Sequence, residues 1–485
     1  MADIKGETSG QGQTAAAGGS LLWIVPLATG IAWYTAVAVT QYLSNHSYYH
    51  DLGLQDYCVY NTLVGRFMLD LDQGANYFGN HLCPILLALI PLYALFDHPL
   101  VLSVSEAVLL AAACWPLFLL AESILEDRVL ASLVSILYLC HNSVASTLLS
   151  QHFEAIEPFL AFFALYFALK ARLWPYLAFL VALLAVKEDL CLYWFFFGLY
   201  LIARRERRTG LITCAVTIAW GAIGFGLVMP WIRGGAPTPH WFALWTPAGE
   251  GGIGTLSSIL SSFGGALLKL PLNPFRGFVA STGFVSLLDP LGFLLVLPPS
   301  LILLAARTEA YNNFWYFYTI PAVPFLFLAT INGFRFLTER VRFGAIWRRS
   351  ALAALVLGLS LHSLLTPTLT HGWKMRTFDV TDHHRLLPGL IKRHIPPDAS
   401  TAAQYDLFCH VPHREAIALL DETTIDRMEF VLLDLKGYAG PLSKGAYTNI
   451  LTRLTSETGE GRELVARRDG YLVFRNTRPI EGMDP

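Results

Sequence analysis

Between residues 21 and 366 the sequence is a succession of apolar runs separated by short polar turns. A helix needs roughly 20 apolar residues to cross the roughly 30 Å of bilayer hydrocarbon. The runs fall at 21–43, 100–121, 129–149, 154–169, 174–187, 190–203, 211–231, 275–288, 290–306, 313–333 and 350–366. This pattern predicts a polytopic α-helical membrane protein of about eleven transmembrane helices. Residues 1–20 are rich in Gly, Ala, Ser and Thr and read as a disordered lead. The first run is too long for the apolar core of a secretory signal and has no convincing cleavage site, so it reads as an uncleaved span.

Composition agrees. Of 485 residues, 54% are hydrophobic and only 14% charged. A soluble chain of this size carries about 25% charged residues. A formal net charge of −2 gives no basic footprint, so no nucleic-acid partner is expected. The cysteines, at 58, 83, 114, 140, 191, 214 and 409, form no CxxC pair. That spacing argues against a zinc site or a disulfide framework. P-loop, Rossmann, GxSxG and HExxH patterns are all missing from the contexts that would give them meaning.

Orientation follows from the basic turns. Arg204–Arg208 and the stretch 335–349 are strongly basic and Lys170/Arg172 more weakly so, which places these turns in the cytoplasm. The parity closes if 83–96, with Pro84 and Pro91 in only fourteen residues or so, is interfacial or re-entrant and does not cross. The loops at 44–99, 150–157, 187–189, 232–274 and 307–312 then face outward. So does the charged region 367–485, whose short β-type runs at 401–405, 416–420, 430–435 and 471–474, with a helical pattern at 446–456, predict a small soluble α/β domain. The expected domains are thus 1–20, 21–366 and 367–485.

Ionisable residues at membrane depth are costly, so their positions carry information. They collect at the expected outer ends of the helices. The first outer loop opens on His50-Asp51-Leu52-Gly53 and continues through Asp56, Asn61, Arg66, Asp70, Asp72 and Asn80-His81. Asp51 could act as a general base or cation ligand, or could cap a short helix in a solvated loop. Asp70-x-Asp72 has the form of a metal-binding triplet that is also common by chance. His152 and Glu154 open a helix, where they could orient a phosphate or metal ion or complement the helix dipole. Lys187-Glu188-Asp189 interrupts an otherwise apolar stretch from Leu173 to Ile202. Such charges must pair, and Lys187 could hold an anionic headgroup. His81, Arg233, Lys269, Arg276 and Arg307 could meet a phosphate, or snorkel at the interface. The Tyr311–Tyr316 stretch reads as an interfacial aromatic belt, with sugar stacking a second reading.

These motifs, taken in order, resemble a bacterial domain-of-unknown-function family of predicted polytopic membrane proteins. The resemblance rests on Asp51-Leu52-Gly53, Asn80-His81-x-x-Pro84, His152-x-Glu154 and Lys187-Glu188-Asp189. It continues through Tyr318-Thr319-x-Pro321-x-x-Pro324-Phe325-Leu326-Phe327-Leu328 and Phe430-Val431-Leu432-Leu433-Asp434, and covers residues 45 to 440 or so. That family resembles the GT-C membrane glycosyltransferases, which carry a long first outer loop with an acidic residue just after the first span. The resemblance implies an inverting transferase of the bacterial inner (plasma) membrane. Its expected partners are membrane lipid, a polyprenyl-phosphate sugar donor and a glycan, lipid or protein acceptor. It assigns catalysis to Asp51 and substrate binding to His81, His152, Glu154, Lys187, Glu188, Asp189, Arg276 and Arg307. A divalent cation, magnesium or manganese, is the one cofactor left open, and its ligands are not specified. Tyr57, Gln151 and Phe317 depart from the family's usual Gln, Asp and His at those places, which counts against a metal-dependent mechanism. A transporter or flippase for a lipid-linked or small polar substrate is the rival reading, followed by a non-catalytic scaffold. The transporter predicts broken helices, deep paired charges and an internal repeat.

Overall fold

The computed structural model describes residues 9–71, 73–234, 253–271, 273–306, 311, 314, 316–340, 344–365, 378–459 and 461–477. The chain forms two compact units. One comprises Met1–Thr35, Phe78–Ile85 and Glu106–Met375, the other Ala36–Tyr77, Leu86–Ser105 and Arg376–Pro485. Where the sequence suggested a cut near residue 366, the second unit also takes in the first loop and the segment around 86–105.

The first unit is helical. Among the described residues, four helices are long and apolar enough to span a bilayer: Leu21–Leu43, Leu100–Leu125, Arg207–Ile232 and Phe317–Arg340. Arg128–Leu139 and Asn142–Ser150, bent by 47°, form a fifth if taken as one broken span. Other expected spans are shorter apolar helices, among them Leu173–Leu184, Leu190–Ala203 and Pro290–Ala305. The expected count of about eleven is therefore not met by helices of full spanning length. Local breaks explain this: 154–169 opens as a 3-10 turn at Phe153–Ile156, and the run at 275–288 leaves its α-helix at Ala280 and re-forms as a 3-10 turn at Val285–Leu288. Pro84–Leu95 is a short helix, 3-10 to Leu89 and α from Ile90. Near the N-terminus, helix Ser9–Leu43 starts inside the stretch expected to be disordered, where alanines favour helix.

Helix–helix packing uses small residues and buried hydroxyls. A Cβ on Gly210 would lie 2.6 Å from the Gly198 carbonyl oxygen, so Leu190–Ala203 and Arg207–Ile223 approach at backbone distance. The Tyr34 hydroxyl donates to the Leu139 carbonyl (2.6 Å) and Tyr138 to that of Leu110 (2.9 Å). Two helices fix the polarity of this unit. Glu157–Leu169 starts on Glu157 and is capped by Lys170, while Leu190–Ala203 starts after Asp189 and is capped by Arg204. Acidic groups thus sit at the N-termini and basic groups at the C-termini, as the helix dipole favours. Thirteen or fourteen residues hold the two ends roughly 20 Å apart. Lys170, Arg204 and Arg335 line one cavity, so three segments expected on one side of the membrane do share an end of the bundle.

The second unit is built on a five-stranded sheet of order β4-β3-β5-β7-β6, with β3 Thr401–Ala403, β4 Ile417–Leu419, β5 Phe430–Asp434, β6 Arg462–Arg468 and β7 Tyr471–Asn476. A separate hairpin, β1 Leu69–Asp70 with β2 Ala75–Asn76, precedes it. β3 pairs in parallel with β4 and β5, and β7 runs antiparallel to β5 and β6. Period-2 alternation sends Ala403, Leu432 and Val473 to one core with helix Asp382–His394. Ala402, Val431, Leu433 and Phe474 go to the other with helix Lys444–Ser456. Every residue of β5 is buried, as expected of a strand covered on both faces. Tyr49 and Tyr57 of the first loop join the first of these cores.

Candidate functional site

In the first unit, three separate sequence motifs meet in a buried polar cluster. Turns at helix starts supply the groups: Phe153–Ile156 before Pro158, the link between Leu173–Leu184 and Leu190–Ala203, and the segment leading to Pro84. The Lys187 ammonium donates to Glu154 Oε1 at 2.8 Å, and His152 Nδ1 bonds the other carboxylate oxygen. Side-chain exposure is 18% for Lys187 and 2% for Glu154. Glu188 bonds His81 Nδ1 through one oxygen and accepts the Leu82 N–H through the other, each at 3.0 Å. The Tyr193 hydroxyl donates to Asp189 Oδ2 at 3.1 Å.

The walls of the cluster are aromatic. Phe317 stacks on His152, centroids 4.3 Å apart and planes 8° from parallel, and its ring lies 5.7 Å from Lys187 Nζ. Tyr311 stacks on Tyr318 at 3.9 Å. Phe317 occupies the place where the family pattern led us to look for a histidine, and it packs against the charges instead of ligating anything. Glu157 lies beside this cluster at the start of helix Glu157–Leu169. It is 1% exposed, and neither of its carboxylate oxygens has a hydrogen-bond partner. Asp189 Oδ1 is also without one.

His81, His152, Glu154, Lys187, Glu188 and Asp189 do come together. Lys187 is already held by a carboxylate, which makes it a paired cation with two further N–H donors to offer a substrate and not a lone phosphate clamp. Arg276 is exposed on helix Asn273–Ala280, and Arg233 donates to the Gly79 carbonyl at 2.6 Å. Arg307, like Asp72, lies outside the described residues. Among the described residues no three His, Cys, Asp or Glu side chains are grouped to hold a metal ion. Glu154 is engaged by Lys187 and His152, and Glu188 by His81 and the Leu82 N–H.

The second unit holds Asp51. It sits in a single π-helical turn, Tyr49–Gly53, ahead of helix Leu54–Leu63. It is half-buried beside an exposed His50, and its charge, with burial the larger cause, raises the Tyr405 hydroxyl pKa. Asp56, by contrast, is enclosed in a hydrogen-bond network. It is buried, accepts from the Tyr93 hydroxyl, and bonds His413 Nε2 at 2.8 Å. His413 Nδ1 bonds Asp97 at 2.7 Å and its ring stacks on Tyr60 at 4.4 Å. Asp70 accepts the Gln73 N–H across the β1–β2 turn at 3.3 Å, so the triplet's first carboxylate serves a turn. Sequence reasoning missed Tyr93, Asp97 and His413, since no local motif joins residues that far apart.

A pH dependence follows. Burial alone would lower the His413 pKa, but the Asp56 and Asp97 carboxylates outweigh it and raise it above the ordinary value. A raised folded pKa gives stability that is complete below the unfolded value, about 6.5. That stability is lost as pH rises through the folded value. The facing groups are Asp56, Asp97, Tyr93, Tyr60, Tyr57 and His98. The thermal midpoint of the full chain in nanodiscs is expected to fall between about pH 6 and pH 9, with a visibly flatter profile in His413→Gln. Identical profiles for the two proteins would contradict the assignment.

With this geometry in view, three comparisons are informative. A family model described as a predicted membrane protein, DUF2079, matches residues 43–473. No curated protein matches the chain. Two crystal structures of ArnT from Cupriavidus metallidurans resemble it in fold. The one bound to undecaprenyl phosphate is 11% identical, with a TM-score of 0.51 over 96% of this chain and 100% of that one. The apo form is 12% identical, with a TM-score of 0.51 over 97% and 100%. At that identity the likeness speaks to fold, and the fold is the one expected from the GT-C resemblance.

Proposed function

The chain belongs to DUF2079, a family of predicted membrane proteins, and from that membership and the buried cluster we propose that it is a membrane glycosyltransferase. It takes a sugar from a polyprenyl-phosphate donor and passes it to an acceptor hydroxyl on the outer face of the inner membrane. The observation that supports this most is the Lys187–Glu154–His152 group, a paired cation kept in an apolar helical unit at the end opposite the basic turns. An intramembrane charge that is retained and paired is by default a functional feature. A fold shared with a structure bound to undecaprenyl phosphate agrees with a lipid-phosphate substrate.

In the proposed reaction Asp51 takes the proton from the acceptor hydroxyl. The hydroxyl oxygen attacks the anomeric carbon from the face opposite the phosphate. The bond between that carbon and the phosphate oxygen breaks, and its electron pair leaves on the polyprenyl phosphate. Configuration at the anomeric carbon inverts. Charge grows on the leaving phosphate, and the spare N–H donors of Lys187 stabilise it there, where a fixed cation in a dry site is most effective. Glu154 and His152 hold the ammonium in place. Nucleotide sugars are absent from the outer face, which favours a lipid-linked donor.

A second reading is favoured by two specific observations: the 47° break between Leu139 and Asn142 and the same Lys187–Glu154 pair. Broken helices and paired charges suit a transporter for a lipid-linked or small polar substrate. Proteoliposomes carrying a radiolabelled polyprenyl-phosphate sugar separate the two. A transferase releases polyprenyl phosphate when acceptor is supplied. Movement of intact donor between leaflets with no cleavage would overturn the transferase.

A further inference from the structure

Three tyrosines in the second unit are gathered at a surface. Tyr48 stacks on Tyr405 with centroids 5.4 Å apart and planes 16° from parallel. Tyr438 lies 5.3 Å from Tyr48 and 5.9 Å from Tyr405. Tyr438 is 55% exposed, and the exposed His50 ring is 5.4 Å from Tyr405. Asp51 is close enough for its charge to act on the Tyr405 hydroxyl.

The fold holds these rings in place. Tyr405 follows the carboxyl end of β3 and Tyr438 follows the carboxyl end of its parallel neighbour β5, where open α/β sheets take their ligands. The Tyr438 N–H donates to the buried Asp406 carboxylate at 2.6 Å. The other Asp406 oxygen accepts from Gln404 at 3.1 Å, and Gln404 in turn is held by Asp434 and Tyr447. Gly440, at φ +75°, leaves no room for a side chain, since a Cβ there would fall 2.2 Å from the Tyr405 ring. The Tyr49 N–H donates to the Tyr405 carbonyl at 3.3 Å, tying the Asp51 turn to the same strand end. An exposed aromatic ring gains little from this much scaffolding unless something stacks on it.

A pyranose has the matching chemistry. Its C–H face is apolar and stacks on an aromatic ring, while its rim of hydroxyls needs hydrogen-bond acceptors such as a carboxylate and an imidazole. We propose that Tyr48, Tyr405 and Tyr438, edged by His50 and Asp51, form a subsite for the sugar ring of a carbohydrate acceptor, with one of its hydroxyls presented to Asp51. The last clause rests on the transferase reading. Stacking on the tyrosines does not.

The test is saturation-transfer NMR on the full chain in nanodiscs, with maltotriose, chitotriose and mannotriose as probes and no donor present. At least one is expected to bind through its ring C–H protons. Tyr438→Ala should weaken that binding about tenfold or more, and Tyr438→Phe should retain it. Tyr438 is exposed, so an unchanged thermal midpoint would confirm that both variants fold. Absence of binding for all three probes, or equal binding by wild type and Tyr438→Ala, overturns the subsite. Saccharide binding with no transfer from any donor keeps the subsite and sinks the transferase. Transfer with kinetics indifferent to Tyr438→Ala does the reverse.

Discussion

Replacing Lys187 with Met is expected to destabilise the protein by about 3–5 kcal/mol, the cost of removing one partner from a buried ion pair. Glu154 is 2% exposed and loses the hydrogen bond made at 2.8 Å. The penalty comes less from lost attraction than from a carboxylate left charged among apolar helices. Lys187→Met combined with Glu154→Gln should therefore recover most of the loss, because no orphan charge remains. Unfolding of single and double variants in detergent micelles gives the coupling between the two residues directly. A stability change below about 1 kcal/mol in Lys187→Met would show that the pair is not buried. The double variant also separates structure from chemistry. If Lys187 stabilises the departing phosphate, the refolded double variant still transfers poorly.

Asp51→Asn is expected to slow sugar transfer by about 10²- to 10⁴-fold, the usual contribution of a positioned general base. Asn matches Asp in size and keeps one acceptor oxygen, so the turn at Tyr49–Gly53 and donor affinity should be preserved. What goes is the ability to accept a proton as the hydroxyl attacks. The loss should fall on the chemical step, seen in single-turnover kinetics with donor saturating. A variant as fast as wild type would remove Asp51 from the reaction.

The membrane half of the fold was legible because apolar runs announce spans by composition alone. Their true lengths were not, since breaks such as the 3-10 turn at Phe153–Ile156 depend on packing that no window of hydropathy sees. In the second unit β3, β4, β5 and β7 were legible as apolar runs. β6 was missed because Arg462, Glu463, Arg467 and Arg468 give an edge strand the look of a loop. Helix Asp382–His394 was missed for a similar reason, with its two His, two Arg and internal Pro388. Isolated charges in apolar sequence marked Lys187, Glu188 and Glu154 as residues that need partners, and each has one, since burial forces such residues to pair. Which carboxylate would pair with which cation was not readable: Lys187 takes Glu154, 33 residues away, and Glu188 takes His81. The Tyr48–Tyr405–Tyr438 group spans the whole chain and left no local trace at all.

The most direct test of the central claim is to follow the sugar–phosphate bond itself. Purified wild-type protein in lipid nanodiscs is offered a panel of radiolabelled polyprenyl-phosphate sugars with an oligosaccharide acceptor. The predicted result is acceptor-dependent release of polyprenyl phosphate from at least one donor, with inverted configuration at the anomeric carbon of the product. Intact donor across the whole panel, with the lipid-linked sugar still bound, would contradict it.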